Sequence, residues 1–309
     1  MWENKQKTLS KSINFEGTGL HSGKKVCMKL EPAEANIGII FKRIDIKKNN
    51  EIKANYKNVS SAKLCTKIEN NHGVSISTVE HLMAALYICG VDNLIVALDG
   101  AEVPIMDGSA IEFVEKIKNV GLKTLGQNRK FIKINKKVEL KLHDKSISIE
   151  PSKDSLKVAF TLSYENNPLI RSQTNCVDFK NKNLENIYSA RTFCLYEDIE
   201  KVKSLGLAKG GNLDNAVVIK GDKVLNEKGL RSKNEFVNHK ILDLAGDFML
   251  AGMRVIGTVS CMHGGHLLTN DFLRKMLSDE SNFTVVESVE NISNLKEITP
   301  NQKRIAVNA

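Results

Sequence analysis

Hydrophobic positions recur along this chain in two rhythms. In KVCMKLEP, IGIIFKR, KSISIEP and KVAFTLSY, apolar and polar residues alternate over short runs, which predicts half-buried β-strands. In STVEHLMAALYICG (77–90) and SKNEFVNHKILDLAGDFMLAG (232–252) the apolar residues return every three or four positions, predicting helices closed by Gly90 and Gly252. Each helix is followed by a strand, VDNLIVALDG or MRVIGTVSCMH, and then by a second helix, SAIEFVEKIKNVG or TNDFLRKMLSD. Helix, strand, helix therefore occurs twice, each time after a region of short alternating strands. The expectation is a duplicated α+β unit in two similar domains, 1–126 and 127–309. An extra piece near 193–225, with the helix LYEDIEKVKSLG and the strand NAVVIKG, interrupts the second copy. Insertions on a repeated scaffold are a common place for specificity.

Composition narrows the class. The 309 residues suffice for two cores, and 41% hydrophobic against 26% charged residues excludes a disordered chain. The polar start MWENKQKTLSKS lacks a signal-peptide core, and no stretch approaches the roughly 18 apolar residues of a membrane span, so a cytoplasmic protein is expected. Six cysteines without CxxC spacing offer no zinc ribbon or redox pair and are expected to remain thiols. The net charge of +9 is spread, +3 over 1–126 and +6 over 127–309, and aromatics are only 6%, which argues against nucleic acid as a partner. Attraction to anionic substrates, or at most a peripheral membrane contact, remains open.

The chemistry-bearing residues concentrate on the two predicted helices. His239, Asp243 and Asp247 are spaced four apart on one, a stripe that reads either as a solvated face or as metal ligands brought near one point. On the other, Glu80-His81 lacks the second histidine of a HExxH helix, since Ala84 and Ala85 fill the next turn, so it offers one ligand beside a carboxylate. Together His81, His239 and Asp243 form a two-histidine, one-carboxylate set suited to an open catalytic zinc site, with Glu80 as the adjacent base. Ser77-x-x-Glu80 and Ser232-x-x-Glu235 also match capping boxes, an alternative use for Glu80. His266, in MHGGHLL, stands either as a loop catalytic group or as a turn histidine. Gly17, Gly19 and Gly23 in GTGLHSGKK fail GxGxxG spacing and read as a hairpin loop, while GxxxxGK[ST] and GxSxG are absent.

Taken together, TLSKSINFEGTGLHSGKK, LCT (64–66), STVEHLMAAL, VPIMDGSA, ARTF (190–193), GLAKGGNLDNAVV, NEFVNHKILDLAGD and GGH before a helix resemble, in that order, the UDP-3-O-acyl-N-acetylglucosamine deacetylases. The resemblance runs over nearly the whole chain. It implies a zinc-dependent amidase of lipid A biosynthesis, with two similar domains, each a β-sheet with packed helices in a two-layer sandwich, whose helices meet in the middle. One Zn2+ per chain would be held by His81, His239 and Asp243, with water activated on the metal and Glu80 as general base. Thr192 would help hold the carbonyl oxygen, Lys240 would contact substrate, and His266 would be a protonated partner oriented by Asp247. His21, Phe193 and Lys145 match positions lining the sugar and nucleotide sites. Ile199, Ala208, Gly211, Asn212, Ala216 and Val218 correspond to a hydrophobic acyl passage. Where many members carry Lys-Ser-Gly-His, this chain has His263-Gly264-Gly265-His266, which leaves open whether His263 replaces a lysine contact to the substrate diphosphate. The expected partner is a UDP-linked acylated glucosamine bound by a monomer.

Overall fold

Burial alternates along the strands as the sequence pattern requires. In Leu156–Tyr164, Leu156, Val158, Phe160 and Leu162 point into the core, and in Lys25–Pro32 Val26, Met28 and Leu30 do so. Each sheet thus has one apolar face, and helices cover it. The computed structural model describes residues 4–287, so residues 1–3 and 288–309 of the expected domain spans lie outside the described residues.

Two sheets share one plan. The first runs Ile13–Thr18, Lys25–Pro32, Leu94–Leu98, Ile39–Arg43, Glu51–Lys53, and its central strand Leu94–Leu98 is antiparallel to Lys25–Pro32 and parallel to Ile39–Arg43. In the second, Arg254–Met262 occupies the same central place, antiparallel to Lys145–Glu150 and parallel to Leu156–Tyr164, with Val138–Leu142 and Arg171–Asp178 outside them. This second sheet adds Phe131–Ile134 and Phe283–Val286 beside the first residues of its central strand. The repetition expected from element order therefore extends to strand order and sense. Strand Leu122–Asn128 pairs with Lys5–Leu9 and contains the expected boundary at 126/127.

The helices are α1 (Glu80–Cys89), α2 (Ile111–Val120), α3 (Glu185–Tyr188), α4 (Ile199–Ser204), α5 (Glu235–Met249) and α6 (His266–Leu277). Helices α1 and α5 each precede a central strand, and they pack on each other. All of α1 from Glu80 to Tyr87 is buried, as is every α5 residue but Lys240, the signature of helices enclosed between layers. Arg254, at the start of the second central strand, donates to the carbonyl of Tyr87 (2.8 Å) and covers the Tyr87 ring, so a cation from the second sheet meets the C-terminal end of α1. The predicted insert helix is shorter than its sequence suggests: a 3₁₀ turn, Tyr196–Asp198, leads into α4, and Gly206 at φ +75° ends the segment. Strands Phe193–Leu195, Val217–Lys220 and Lys223–Val224 form a small sheet beside it.

Candidate metal and active site

His81 is the second residue of α1, and His239 and Asp243 lie one turn apart on α5. Their ligand atoms all fall within 4.8 Å of one another, and all three side chains are buried. The stripe on α5 is therefore not a solvated face, because α1 packs over it. His239 Nδ1 meets the Ala190 carbonyl at 3.0 Å; a carbonyl only accepts, so this nitrogen carries the proton and Nε2 turns its lone pair toward Asp243. Burial holds the His239 pKa down, to about 3, against the pull of Asp243, so the ring is neutral. Asp243 stays ionised: burial opposes this, but the cationic groups around it, Lys240 and His266, overcome it, and its pKa lies well below the usual carboxylate range. Lys240 Nζ donates to Asp243 Oδ2 at 2.9 Å. Asp243 Oδ1 has no hydrogen-bond partner among the described residues and stands 3.5 Å from His81 Nε2 and 3.3 Å from His239 Nε2. An orphaned, buried carboxylate oxygen facing two imidazole nitrogens beyond good hydrogen-bond distance is the setting a divalent cation satisfies, and the donor set suits Zn2+.

Beside this cluster lie two carboxylates and a histidine. Glu80 Oε2 accepts from the Thr66 backbone N–H at 3.0 Å, leaving Oε1 at 3.8 Å from His266 Nε2. Burial raises the Glu80 pKa although His266 and His81 oppose it. His266 opens α6, and its Nδ1 lies 2.8 Å from Asp247 Oδ2. Burial disfavours its cation, yet Asp247, Glu80 and Asp243 together push its pKa up to about 10. Thr66 Oγ1 donates to the other Asp247 oxygen at 2.6 Å.

Neither capping box forms. The residue before α1 is Val79, with no side-chain cap, and Ser77 Oγ donates instead to the Ala101 carbonyl. Thr78, at φ +59°, turns the chain between them, a costly conformation for a β-branched residue, and its hydroxyl donates to Glu102. The Glu235 carboxylate is fully buried and taken by the Arg191 guanidinium and the Arg231 backbone N–H.

A cavity of about 940 Å³ opens over the cluster and is lined by Glu80, His81, His239, Lys240, Asp243 and His266, and also by Thr192, Phe193, His21 and Lys145. Asp247 is not among its lining residues and sits behind His266. A second cavity, about 400 Å³, shares His21, Thr192 and Phe193 and is lined by all six expected passage residues: Ile199, Ala208, Gly211, Asn212, Ala216 and Val218. Asn212 turns its side-chain oxygen back to the Asp214 N–H. His21 rides on the hairpin loop between Ile13–Thr18 and Lys25–Pro32, where Glu102 accepts its backbone N–H and that of Ser22. Thr192 is held by its N–H on the Gly108 carbonyl and its carbonyl on the Val217 N–H, and Phe193 packs against Phe236 under the Lys240 ammonium. His263, at φ +52°, hydrogen-bonds through its backbone to Thr161 and lines neither cavity.

Three supporting residues went unassigned at the level of sequence: Thr66, Glu102 and Gly108. All lie in or beside the LCT and VPIMDGSA motifs, but their partners are distant in the chain.

A model of the family described as UDP-3-O-acyl N-acetylglycosamine deacetylase matches residues 6–278. Curated relatives named UDP-3-O-acyl-N-acetylglucosamine deacetylase include one from Geotalea uraniireducens, 43% identical over 283 residues and 91% of each chain. Another, from Campylobacter fetus subsp. fetus, is 43% identical over 91% of this chain and 95% of its own. The relative from Actinobacillus succinogenes is 42% identical over 293 residues, 93% of this chain and 95% of its own.

Proposed function

Because the chain belongs to the UDP-3-O-acyl N-acetylglycosamine deacetylase family, we propose that it hydrolyses the N-acetyl amide of UDP-3-O-(3-hydroxyacyl)-N-acetylglucosamine. Acetate and the free 2-amino sugar result, the committed step of lipid A biosynthesis. The observation that carries this reading is the convergence of His81, His239 and Asp243 with Glu80 and His266 on one cavity that adjoins a second in the insert.

A Zn2+ held by His81, His239 and Asp243 supplies, when bound, a Lewis acid that acidifies water and polarises a carbonyl. Glu80 takes the proton of the attacking water; burial raises its pKa, which makes it a stronger base. His266, cationic and across from Glu80, stabilises developing charge or gives its own proton to the departing amine, in which case the proton taken up by Glu80 restores it. Asp247 keeps that imidazole charged and turned toward Glu80. Thr192, anchored on both backbone sides, offers its hydroxyl to the carbonyl oxygen, and Lys240 contacts the substrate from above Phe193. His21, Phe193 and Lys145 line the sugar and nucleotide region, and the insert takes the acyl chain. The active form is a monomer of two domains, 1–126 and 127–309, working in the cytoplasm; among the described residues no helix is long and apolar enough to cross a membrane.

Metal analysis paired with acetate release from the UDP-sugar lipid tests the reading. His239→Ala should lose zinc and turnover together, whereas Glu80→Gln should keep zinc and lose roughly 10² to 10⁴ in rate. Wild-type turnover in Glu80→Gln would remove Glu80 as the base.

A further inference from the structure

Thr66 reaches both sides of the site from outside the three helices that build it. It is buried and sits in the segment joining Val59–Ser61 to Lys67–Glu69. Its N–H holds Glu80 Oε2, its carbonyl accepts from the Val79 N–H at 3.3 Å, and its hydroxyl donates to Asp247 Oδ1. Glu80 comes from α1, Asp247 from α5 and His266 from α6, so no single helix sets their relative orientation.

The hydroxyl has one proton, and it goes to Asp247. A carboxylate can present either oxygen to a neighbour by rotating about its last torsion, which is broad. With Oδ1 held by Thr66 at 2.6 Å, the carboxylate is fixed about that torsion with Oδ2 facing His266 Nδ1, and the imidazole is then held with Nε2 toward Glu80 Oε1. The backbone around this contact is tightly determined. Leu64 and Thr78, on the two segments that Thr66 and Val79 clasp together, both adopt positive φ (+67° and +59°), which persists only where surrounding contacts impose it.

We propose that the Thr66 hydroxyl is a positioning residue for the deacetylation, locking the Asp247 carboxylate so that His266 is held in its working orientation. This rests on the activity proposed above. Because the Thr66 N–H is a main-chain group, removing the hydroxyl leaves the anchor on Glu80 in place, which separates the two contacts.

The test uses the zinc-loaded full chain and UDP-3-O-(3-hydroxyacyl)-N-acetylglucosamine, with metal content measured alongside. Thr66→Val, close in shape, should keep zinc and lower kcat about 10- to 100-fold, the usual reach of a group behind a site residue, while KM stays near the wild-type value. Thr66→Ser, which restores the hydroxyl, should recover most of the rate. Combined with Asp247→Asn, Thr66→Val should add little further loss. If Thr66→Val does not fold, Thr66→Ala, which sets no methyl against Asp247, is read in the same way. Wild-type kcat in the valine or alanine variant, an equal loss in the serine variant, or full additivity with Asp247→Asn overturns the proposal. Absence of acetate release by the wild-type chain would instead defeat the activity on which it rests.

Discussion

Gly246 of α5 lies directly against the Glu80 carbonyl of α1: a Cβ built on Gly246 would stand 2.0 Å from that oxygen and 3.1 Å from the Ala84 nitrogen. The contact sets how closely the helix carrying Glu80 and His81 approaches the helix carrying His239 and Asp243. Backbone, not a yielding side chain, occupies the space. Gly246→Ala should therefore push the helices apart, costing about 1–3 kcal/mol of stability and, more tellingly, weakening zinc retention. Thermal unfolding and metal titration check this. Unchanged zinc affinity in a folded Gly246→Ala protein would mean that the helix spacing does not control the site.

Asp247 and His266 should behave as one unit. Asp247→Asn is expected to retain zinc yet depress turnover, because Asp247 touches His266 and Thr66 and is absent from the metal group. Kinetics of the double variant with His266→Ala decide the matter. A combined loss equal to the sum of the single losses would show that the residues act independently.

Chain-length preference should originate in the insert. Each buried methylene contributes about 0.8 kcal/mol, so a substrate shorter by four should be captured roughly two orders of magnitude less well. Gly211 has room for a Cβ only at 3.3 Å from the Ala208 carbonyl oxygen and 3.5 Å from Leu20, so Gly211→Leu fills the cavity. It should penalise the long-chain substrate far more than a truncated one, with zinc content unchanged. A kcat/KM that is flat across an acyl series would take the insert out of the substrate site.

Acid should weaken one link between the two halves of the chain. Arg231, four residues before α5, pairs with Asp107 at 2.7 Å and reaches Ser109 and the Ser189 carbonyl. Burial would raise the Asp107 pKa, but hydrogen bonds from Ser109 and Arg231 hold it below its ordinary value. A depressed carboxylate contributes stability that is fully present above its unfolded pKa, about 3.9, and is lost as pH falls through the folded value. Denaturant unfolding of Asp107→Asn should accordingly show a deficit against wild type at pH 6 that shrinks below pH 4. A deficit independent of pH would assign the effect to packing.

Much of this organisation is written locally. Periodicity within 77–90 and 232–252 is enough to place α1 and α5, because a helix needs only its own residues to repeat every 3.6 positions. The i, i+4 spacing of His239 and Asp243 likewise puts both on one face whatever surrounds them. The ordered motifs from TLSKS to GGH carry the family with them.

Contacts between distant segments decided the rest. Spacing along α5 left His239, Asp243 and Asp247 readable as a solvated stripe; the packing of α1 across Gly246 buries them, and among the described residues Asp243 Oδ1 has no donor. Ser77-x-x-Glu80 reads locally as a cap, but the turn at Thr78 and the N–H of Thr66 claim the chain first and direct the carboxylate inward. Thr66 and Asp247 are 181 residues apart, and no periodicity links them; their hydrogen bond exists because the segment after Val59–Ser61, tied to the start of α1 through Val79, lies where α1 packs against α5. Local patterns encode which groups share a face, whereas burial and partner choice are properties of what packs against that face.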